Sequence, residues 1–283
     1  MDNEILEVVL NYAKDAGKIA IAEQENLSAH LKPDASYVTH VDLRLSELAF
    51  RTLSDVVPEN RIVTEEHLDN LHTLSNANEL ERSELTIFVD PIDGTRNYFH
   101  NMPLYGISIG IFRNLQPWLG VVVFPALDEL FYCDDQNAYL VSGIFRNQRE
   151  IKKIDYNGAD LNANSVVLLA NSFVRKYRWS YEVCTAMVTA CVSLNACWPS
   201  VGRGVGTILN DHIWDFAGSW PILQRLGFEF RGAETSEIIT RYNPDDYHTE
   251  TLKLNQPVIV SRPEHFAQMR SGIVAGSWAQ SAL

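Results

Sequence analysis

The chain has 283 residues, with 36 acidic and 23 basic side chains and a formal net charge of −13. That length suffices for one large domain or for two closely packed halves. The acidic excess, without any basic stripe in the sequence, argues against a nucleic-acid partner. The sequence contains no apolar run near the ~20 residues that span a bilayer, so we expect no membrane association.

The four cysteines have no spacing that is typical of a zinc site or of a redox pair. They are Cys133, Cys184, Cys191 and Cys197. We expect them to be buried free thiols, which fits a reducing compartment. The N-terminal segment is acidic and lacks the basic start of a signal peptide, so the sequence predicts a cytoplasmic protein.

The first elements in chain order are predicted to be helices. An apolar stripe predicts an amphipathic helix over residues 2–24. Thr39 and Asp42 are typical of a capping box, and they predict a second helix that Pro58 ends. Its inward face would carry Leu45, Leu48, Ala49, Leu53 and Val56. A short strand is predicted from Arg61 to Thr64, and a polar loop over residues 67–84.

The rest of the sequence predicts strands and then an alternation of strands and helices. We predict strands near residues 85–90, 105–112, 118–124, 129–133 and 138–141, with a turn at 114–117. The polar stretch 143–164 predicts a boundary between N-terminal (1–145) and C-terminal (146–283) α/β subdomains of one catalytic unit. Beyond it, strands are predicted at 166–170, 228–231 and 257–260, and helices at 174–190, 214–226 and 263–271. This alternation indicates α/β layering.

The segment from Leu85 to Thr95 is the most informative part of the sequence. An apolar strand ends at Asp90, and Asp93, Gly94 and Thr95 follow within a turn. Carboxylates are the ligands that Mg²⁺ prefers, and backbone amides at a helix start can hold a phosphate. The same residues are also typical of an ordinary turn, so the motif alone leaves both interpretations open.

Three other segments supply further acids. Glu65 and Glu66 follow a short apolar run, Asp215 lies at a predicted helix start, and Asp42 follows Thr39. Each acid also has a simpler interpretation. The two glutamates can be solvated side chains before a loop, whereas Asp42 and Asp215 can be helix caps.

These segments, in this order, resemble the inositol monophosphatase family of Mg²⁺-dependent, lithium-sensitive phosphatases. The match at residues 90–95, Asp-Pro-Ile-Asp-Gly-Thr, is complete, and the similarity extends over about residues 32–227. The resemblance implies a layered αβαβα sandwich, a homodimer, and a small-molecule phosphate ester as substrate. It also implies two to three Mg²⁺ ions.

The resemblance further implies a role for each site residue. One Mg²⁺ would contact Glu65, Asp90 and the Ile92 carbonyl, a second would contact Asp90, Asp93 and Asp215, and a weaker third would contact Glu65. Catalysis would depend on Glu65 and on Thr95, which with Asp42 would activate the attacking water. The substrate would contact Asp93, Gly94, Thr95, Arg96 and Asp215.

The sequence departs from the family pattern where the alcohol half of the substrate would bind. Residues 190–195 lack the family's glycine, and Leu209 lies nearest to the position of a substrate-binding Glu. Thr64 stands where the family usually has a glycine before the acid pair. Inositol 1-phosphate is the family default, and histidinol phosphate, fructose 1,6-bisphosphate and 3′-phosphoadenosine 5′-phosphate remain open. A non-catalytic regulator is the other alternative, and the intact acids argue against it.

Overall fold

The computed structural model describes residues 2–32, 36–67, 85–146, 149–156, 158 and 160–275. The predicted loop at 67–84 therefore lies outside the described residues, except for His67. No helix among the described residues is long and apolar enough to cross a membrane.

The N-terminal part consists of two helices and a small β-pair. They are α1 (Asp2–Glu23), β1 (Ala29–Leu31), β2 (Tyr37–Thr39) and α2 (His40–Leu53), with β1 antiparallel to β2. The predicted capping box is present at the start of α2. The Thr39 hydroxyl accepts from the amide of Val41 at 3.2 Å, and the carboxylate of Asp42 accepts from the Thr39 amide at 2.9 Å. The prediction of both helices is confirmed.

A seven-stranded sheet follows α2. Its strands are β3 (Ile62–Thr64), β4 (Leu85–Asp93), β5 (Gly106–Arg113), β6 (Gln116–Phe124), β7 (Glu129–Cys133), β8 (Ala138–Ser142) and β9 (Glu150–Lys153), in that spatial order. The pair β3–β4 is parallel, and the other neighbours are antiparallel. A short helix, α3 (Thr95–Phe99), connects β4 to β5. The predicted strands are confirmed, and the sheet continues into β9, beyond residue 145.

The second half of the chain carries a smaller, five-stranded sheet. The remaining elements are β10 (Val166–Leu169), α4 (Asn171–Val174), β11 (Tyr177–Trp179), β12 (Thr185–Val188), α5 (Val192–Cys197), β13 (Gly206–Leu209), α6 (Ile213–Ala217), α7 (Ser219–Arg225), β14 (Glu229–Gly232), β15 (Val258–Ser261), α8 (Phe266–Ser271) and β16 (Ile273–Ala275). The sheet order is β12-β10-β13-β15-β14, and β11 pairs separately with β16. The division into two subdomains stays a prediction.

The predicted helix over 174–190 is wrong. That segment contains β11 and β12, which pair with the distant strands β16 and β10. The segment is rich in β-branched and aromatic residues, a composition that favours strands when a partner strand is available. The predicted helix at 214–226 is confirmed as two short helices separated at Gly218. Pro221 lies in the first turn of α7. Backbone amides in the first turn have no hydrogen-bond partner within the helix, so proline removes no helical hydrogen bond there.

The helices and sheets stack in layers that bury three hydrophobic clusters. Helices α1 and α2 pack on one face of the large sheet, and α6 and α7 pack on its other face. The central layer brings Phe112 of the large sheet and Val260 of the small sheet into one cluster with Trp220. Strand β6 lies very close to the junction between α6 and α7. A Cβ atom added at Gly120 would lie only 2.0 Å from the Gly218 carbonyl oxygen, so this position has room only for glycine. All four cysteines are buried and free, as predicted.

Candidate active site

The end of β4 carries the carboxylates of Asp90 and Asp93 at the two ends of a β-bulge. Asp90 lies opposite Ser108 and Asp93 opposite Gly106, so β4 contains one more residue than β5 over this interval. Such a bulge re-aims the side chains that follow it. The Ile92 amide donates to the Asp90 carboxylate at 3.0 Å, which fixes the turn. Both acids are almost fully buried.

Three acids from different parts of the chain converge at this point. Carboxylate oxygens of Glu65, Asp90 and Asp215 all lie within 4.8 Å of one another. Glu65 follows β3, and its amide donates to the Val89 carbonyl at 3.2 Å. Asp215 lies in the first turn of α6 and accepts from the His212 amide at 3.0 Å, so His212 rather than Asp215 is the N-cap residue.

Burial of like charges makes this cluster unfavourable without a cation. Burial, followed by the charge of Glu65, raises the pKa of Asp90 well above its ordinary value. Burial raises the pKa of Asp42 to about 7 and that of Asp93 to about 7. A divalent cation would relieve this repulsion, and the donors are the hard oxygen atoms that Mg²⁺ prefers. The residues therefore fit a Mg²⁺ site.

Asp93 contacts the start of α5. Its carboxylate accepts from the amides of Val192 at 3.1 Å and Ser193 at 2.6 Å, from the Ser193 hydroxyl at 2.5 Å and from the Cys191 thiol at 3.1 Å. Ala190, which precedes these donors, has a φ of 57° in the left-handed region. Asp93 is not in the three-acid group, although the charge of Asp215 contributes to its raised pKa. It is held by a turn in which Ala190 adopts a backbone conformation that favours glycine.

The predicted Thr95–Asp42 pair is present. The Thr95 hydroxyl lies 3.3 Å from a carboxylate oxygen of Asp42 and 2.9 Å from the Ile92 carbonyl oxygen. Gly94 caps α3 with a φ of 82°, and a Cβ atom there would lie 3.0 Å from the Leu104 carbonyl oxygen. This position therefore requires glycine, both for its backbone conformation and for space.

Lys32 is a site residue that sequence reasoning missed. Its ammonium group lies 2.8 Å from a carboxylate oxygen of Glu65 and 2.7 Å from one of Glu66. Burial opposes the charge on Lys32, but the two carboxylates raise its pKa overall. Glu66 thus contributes by holding this cation next to Glu65. A single lysine far from the motif gave no sequence signal.

An open cleft of about 240 Å³ leads to these residues. The residues that line it include Glu65, Gly94, Thr95, Arg96, Arg175, Asp211, His212 and Lys253. His212 stacks on Trp214, and its Nδ1 lies 3.6 Å from the Asp215 carboxylate. Burial lowers the pKa of His212, but Asp215, together with Glu65 and Asp211, raises it, and the net shift is upward.

The inositol monophosphatase family model matches residues 1–270. The chain belongs to the inositol monophosphatase family. It is 28% identical over 272 residues to inositol monophosphatase 1 of Solanum lycopersicum, and the match covers 90% of this chain and 97% of the relative. It is also 27% identical over 242 residues to a histidinol-phosphatase of Chlorobaculum parvum, and this match covers 81% of this chain and 87% of the relative.

The fold of this family member is shared with solved structures. One is an IMPase/NADP phosphatase complexed with Mg²⁺ and phosphate, with a TM-score of 0.74 and 16% identity over 95% of this chain and 94% of that one. The expected αβαβα sandwich agrees with this similarity and with the observed layers. The protein is a phosphoric monoester hydrolase of a Mg²⁺-dependent family.

The departures of this inositol monophosphatase family member have structural explanations. Thr64 is buried, and its hydroxyl accepts from Ser46 at 3.2 Å, which compensates for the replaced glycine. Leu209 is fully buried in the core and does not line the cleft. The acid near this position that does line the cleft is Asp211, which is 8% exposed. Its position in the loop after β13 was not predicted.

Proposed function

We propose that the protein hydrolyses a small phosphate monoester with Mg²⁺ held by Glu65, Asp90 and Asp215. The observation that carries this proposal is the convergence of three carboxylates within 4.8 Å at the end of the cleft. Bound Mg²⁺ would supply positive charge to the phosphate and would lower the pKa of a water molecule.

We propose that the site holds two to three ions. The first would use Glu65, Asp90 and the Ile92 carbonyl, and the second would use Asp90, Asp93 and Asp215. Only the Val192 amide donates to Oδ1 of Asp93 among the hydrogen bonds of the described residues, so that oxygen keeps a lone pair for a cation. A third ion at Glu65 would compete with Lys32 for the same carboxylate.

Thr95 and Asp42 would move the proton of the attacking water. The Thr95 hydroxyl has one proton, which it can donate either to the Ile92 carbonyl at 2.9 Å or to Asp42 at 3.3 Å. When it donates to Asp42, its oxygen can accept a hydrogen bond from water. Burial raises the pKa of Asp42 to about 7, which suits a proton acceptor that works near neutral pH. Gly94 and Thr95 line the cleft, and their backbone amides would hold the phosphate oxygens.

The substrate is proposed to be a polyol, sugar or amino-alcohol phosphate. Inositol 1-phosphate is the first candidate, because the family model and the tomato relative carry that activity in their names. Histidinol phosphate is the second, because the Chlorobaculum relative is named for it. Arg96 lines the cleft next to Thr95 and would face the substrate in either case.

The test is phosphate release from a panel of small phosphate esters, with Mg²⁺, with EDTA and with Mg²⁺ plus Li⁺. We expect release that requires Mg²⁺, that Li⁺ inhibits, and that Glu65→Gln abolishes. Glu47→Gln, at an exposed position of α2, is the matched control and should keep full activity. Release that continues in EDTA, or that survives Glu65→Gln, would contradict the proposal.

A further inference from the structure

Three cations line the cleft and have no part in the proposed metal binding or proton transfer. They are Arg96, Arg175 and Lys253. In the part of the chain that the structure describes, the guanidinium groups of Arg96 and Arg175 have no hydrogen bond or ion pair with a protein group. Elsewhere, Arg203 pairs with Glu129 at 2.6 Å and Arg225 donates to the Trp118 carbonyl at 3.0 Å.

The three cations come from separate segments. Arg96 lies in α3, Arg175 is the C-cap residue of α4, and Lys253 forms a β-bridge with His212. Their presence in one cleft therefore depends on the tertiary structure. In a chain with a net charge of −13, these three side chains give the cleft a local source of positive charge.

The acids in the same cleft do not neutralise this group. Glu65 is already bound to Lys32 and would also bind the metal ion. Asp211 faces Lys253, whose charge lowers the pKa of Asp211, but burial and Asp215 raise it further, so the net shift is upward. The two arginines therefore remain available to a ligand.

We propose that Arg96, Arg175 and Lys253 form a subsite for a second anionic group on the alcohol half of the substrate. This inference rests on the proposed function, because the metal ions and the Gly94–Thr95 backbone would take the phosphate that is cleaved. Guanidinium groups bind phosphate and carboxylate with paired hydrogen bonds, and an ammonium group adds a point charge. The preferred substrate is thus a polyol or sugar phosphate whose alcohol half carries a second anionic group, which disfavours the cationic amino-alcohol phosphates among the candidates.

The experiment compares esters that differ in one anionic group. Glycerol 2-phosphate is paired with 2-phosphoglycerate for a carboxylate, and inositol 1-phosphate with inositol 1,4-bisphosphate for a phosphate. We expect kcat/KM to be at least about tenfold higher for the more anionic member of one pair, and that pair identifies the group. Equal or lower kcat/KM for the anionic member of both pairs would overturn the subsite.

Variants assign this preference to the cleft. Arg175→Gln is expected to reduce the ratio of kcat/KM values within the preferred pair about tenfold. Lys176→Gln is the matched control, because Lys176 is exposed and is not among the residues that line the cleft. If neither Arg175→Gln nor Arg96→Gln changes the ratio, the preference does not come from these side chains and the proposal is wrong.

A binding measurement separates this proposal from the proposed function. Calorimetry with Ca²⁺ in place of Mg²⁺ should give tighter binding of the more anionic ester, and Arg175→Gln should remove the difference. Turnover of both members of each pair at equal kcat/KM would refute the subsite but leave the phosphatase intact. Absence of turnover for every ester would refute the proposed function, and the calorimetric difference would still decide the subsite.

Discussion

Asp90 and Asp93 belong to one motif but have different environments. Asp90 lies among like charges, and burial together with Glu65 raises its pKa well above the ordinary value. Asp93 is also buried, but four donors at the start of α5 contact its carboxylate. The same substitution should therefore affect stability in opposite directions at the two positions.

Asp90→Asn is expected to reduce Mg²⁺-dependent turnover by roughly a hundredfold or more, because the two proposed ions share this carboxylate. In EDTA the variant should be more stable than the wild type, because a buried charge is replaced by a neutral group of similar shape. Phosphate release and urea unfolding in EDTA measure the two effects. Activity close to that of the wild type would refute the ligand assignment.

Asp93→Asn is expected to destabilise the metal-free protein by about 1–3 kcal/mol. One carboxylate oxygen would be replaced by an amide nitrogen, which cannot accept a hydrogen bond from the N–H and O–H donors at this position. Urea unfolding in EDTA, next to Asp90→Asn as a matched variant, measures the difference. A variant as stable as the wild type would show that these hydrogen bonds are energetically unimportant.

At the scale of elements, the start of α2 connects helix stability to the site. Thr39 is 1% exposed and caps α2, and the same Asp42 that completes the capping box also accepts from Thr95. The cap therefore holds Asp42 in the position that the proposed proton transfer requires.

Thr39→Val is expected to cost about 1–2 kcal/mol of stability, because it removes the capping hydroxyl but keeps the shape of the side chain. It should also reduce kcat, because Asp42 loses a partner that holds it near Thr95. Thr39→Ser keeps the hydroxyl and is the control. Denaturant unfolding and phosphate release are the measurements, and equal behaviour of the two variants would contradict the role of the cap.

At the scale of the whole molecule, the buried acids make stability depend on pH. The ordinary pKa of an Asp is 3.8, and burial raises the pKa of Asp42 and of Asp93 to about 7 in the folded protein. Between these values the folded state binds more protons than the unfolded state, so stability falls as pH rises. The upward net pKa shift of His212 acts in the same direction, because its contribution is lost as pH rises through the folded value.

In EDTA, the melting temperature is therefore expected to be lower at pH 7.5 than at pH 5.5, by about 5 °C or more. Saturating Mg²⁺ should remove or reverse this difference, because cation binding requires deprotonated carboxylates. Calorimetric melting at both pH values, with EDTA and with Mg²⁺, is the measurement. A melting temperature in EDTA that rises with pH would show that the acids are not buried together.

The features that could be predicted from the sequence depend on residues that are close along the chain. The stripe of α1, the capping box of α2 and the buried strand β4 with its Asp-Pro-Ile-Asp-Gly-Thr turn each lie within one short segment. Local sequence determines such features, because the groups that interact are neighbours in any conformation. The family, the fold and the acids of the cluster could therefore be predicted.

Only the tertiary structure decided which distant groups meet. Ser193 donates to Asp93 from 100 positions away, and Lys32 contacts Glu65 across 33 positions. The wrong helix at 174–190 has the same origin, because β11 and β12 form only against partner strands elsewhere in the chain. Contacts of this kind depend on how the two sheets and their helices pack, and no local pattern of residues records that packing.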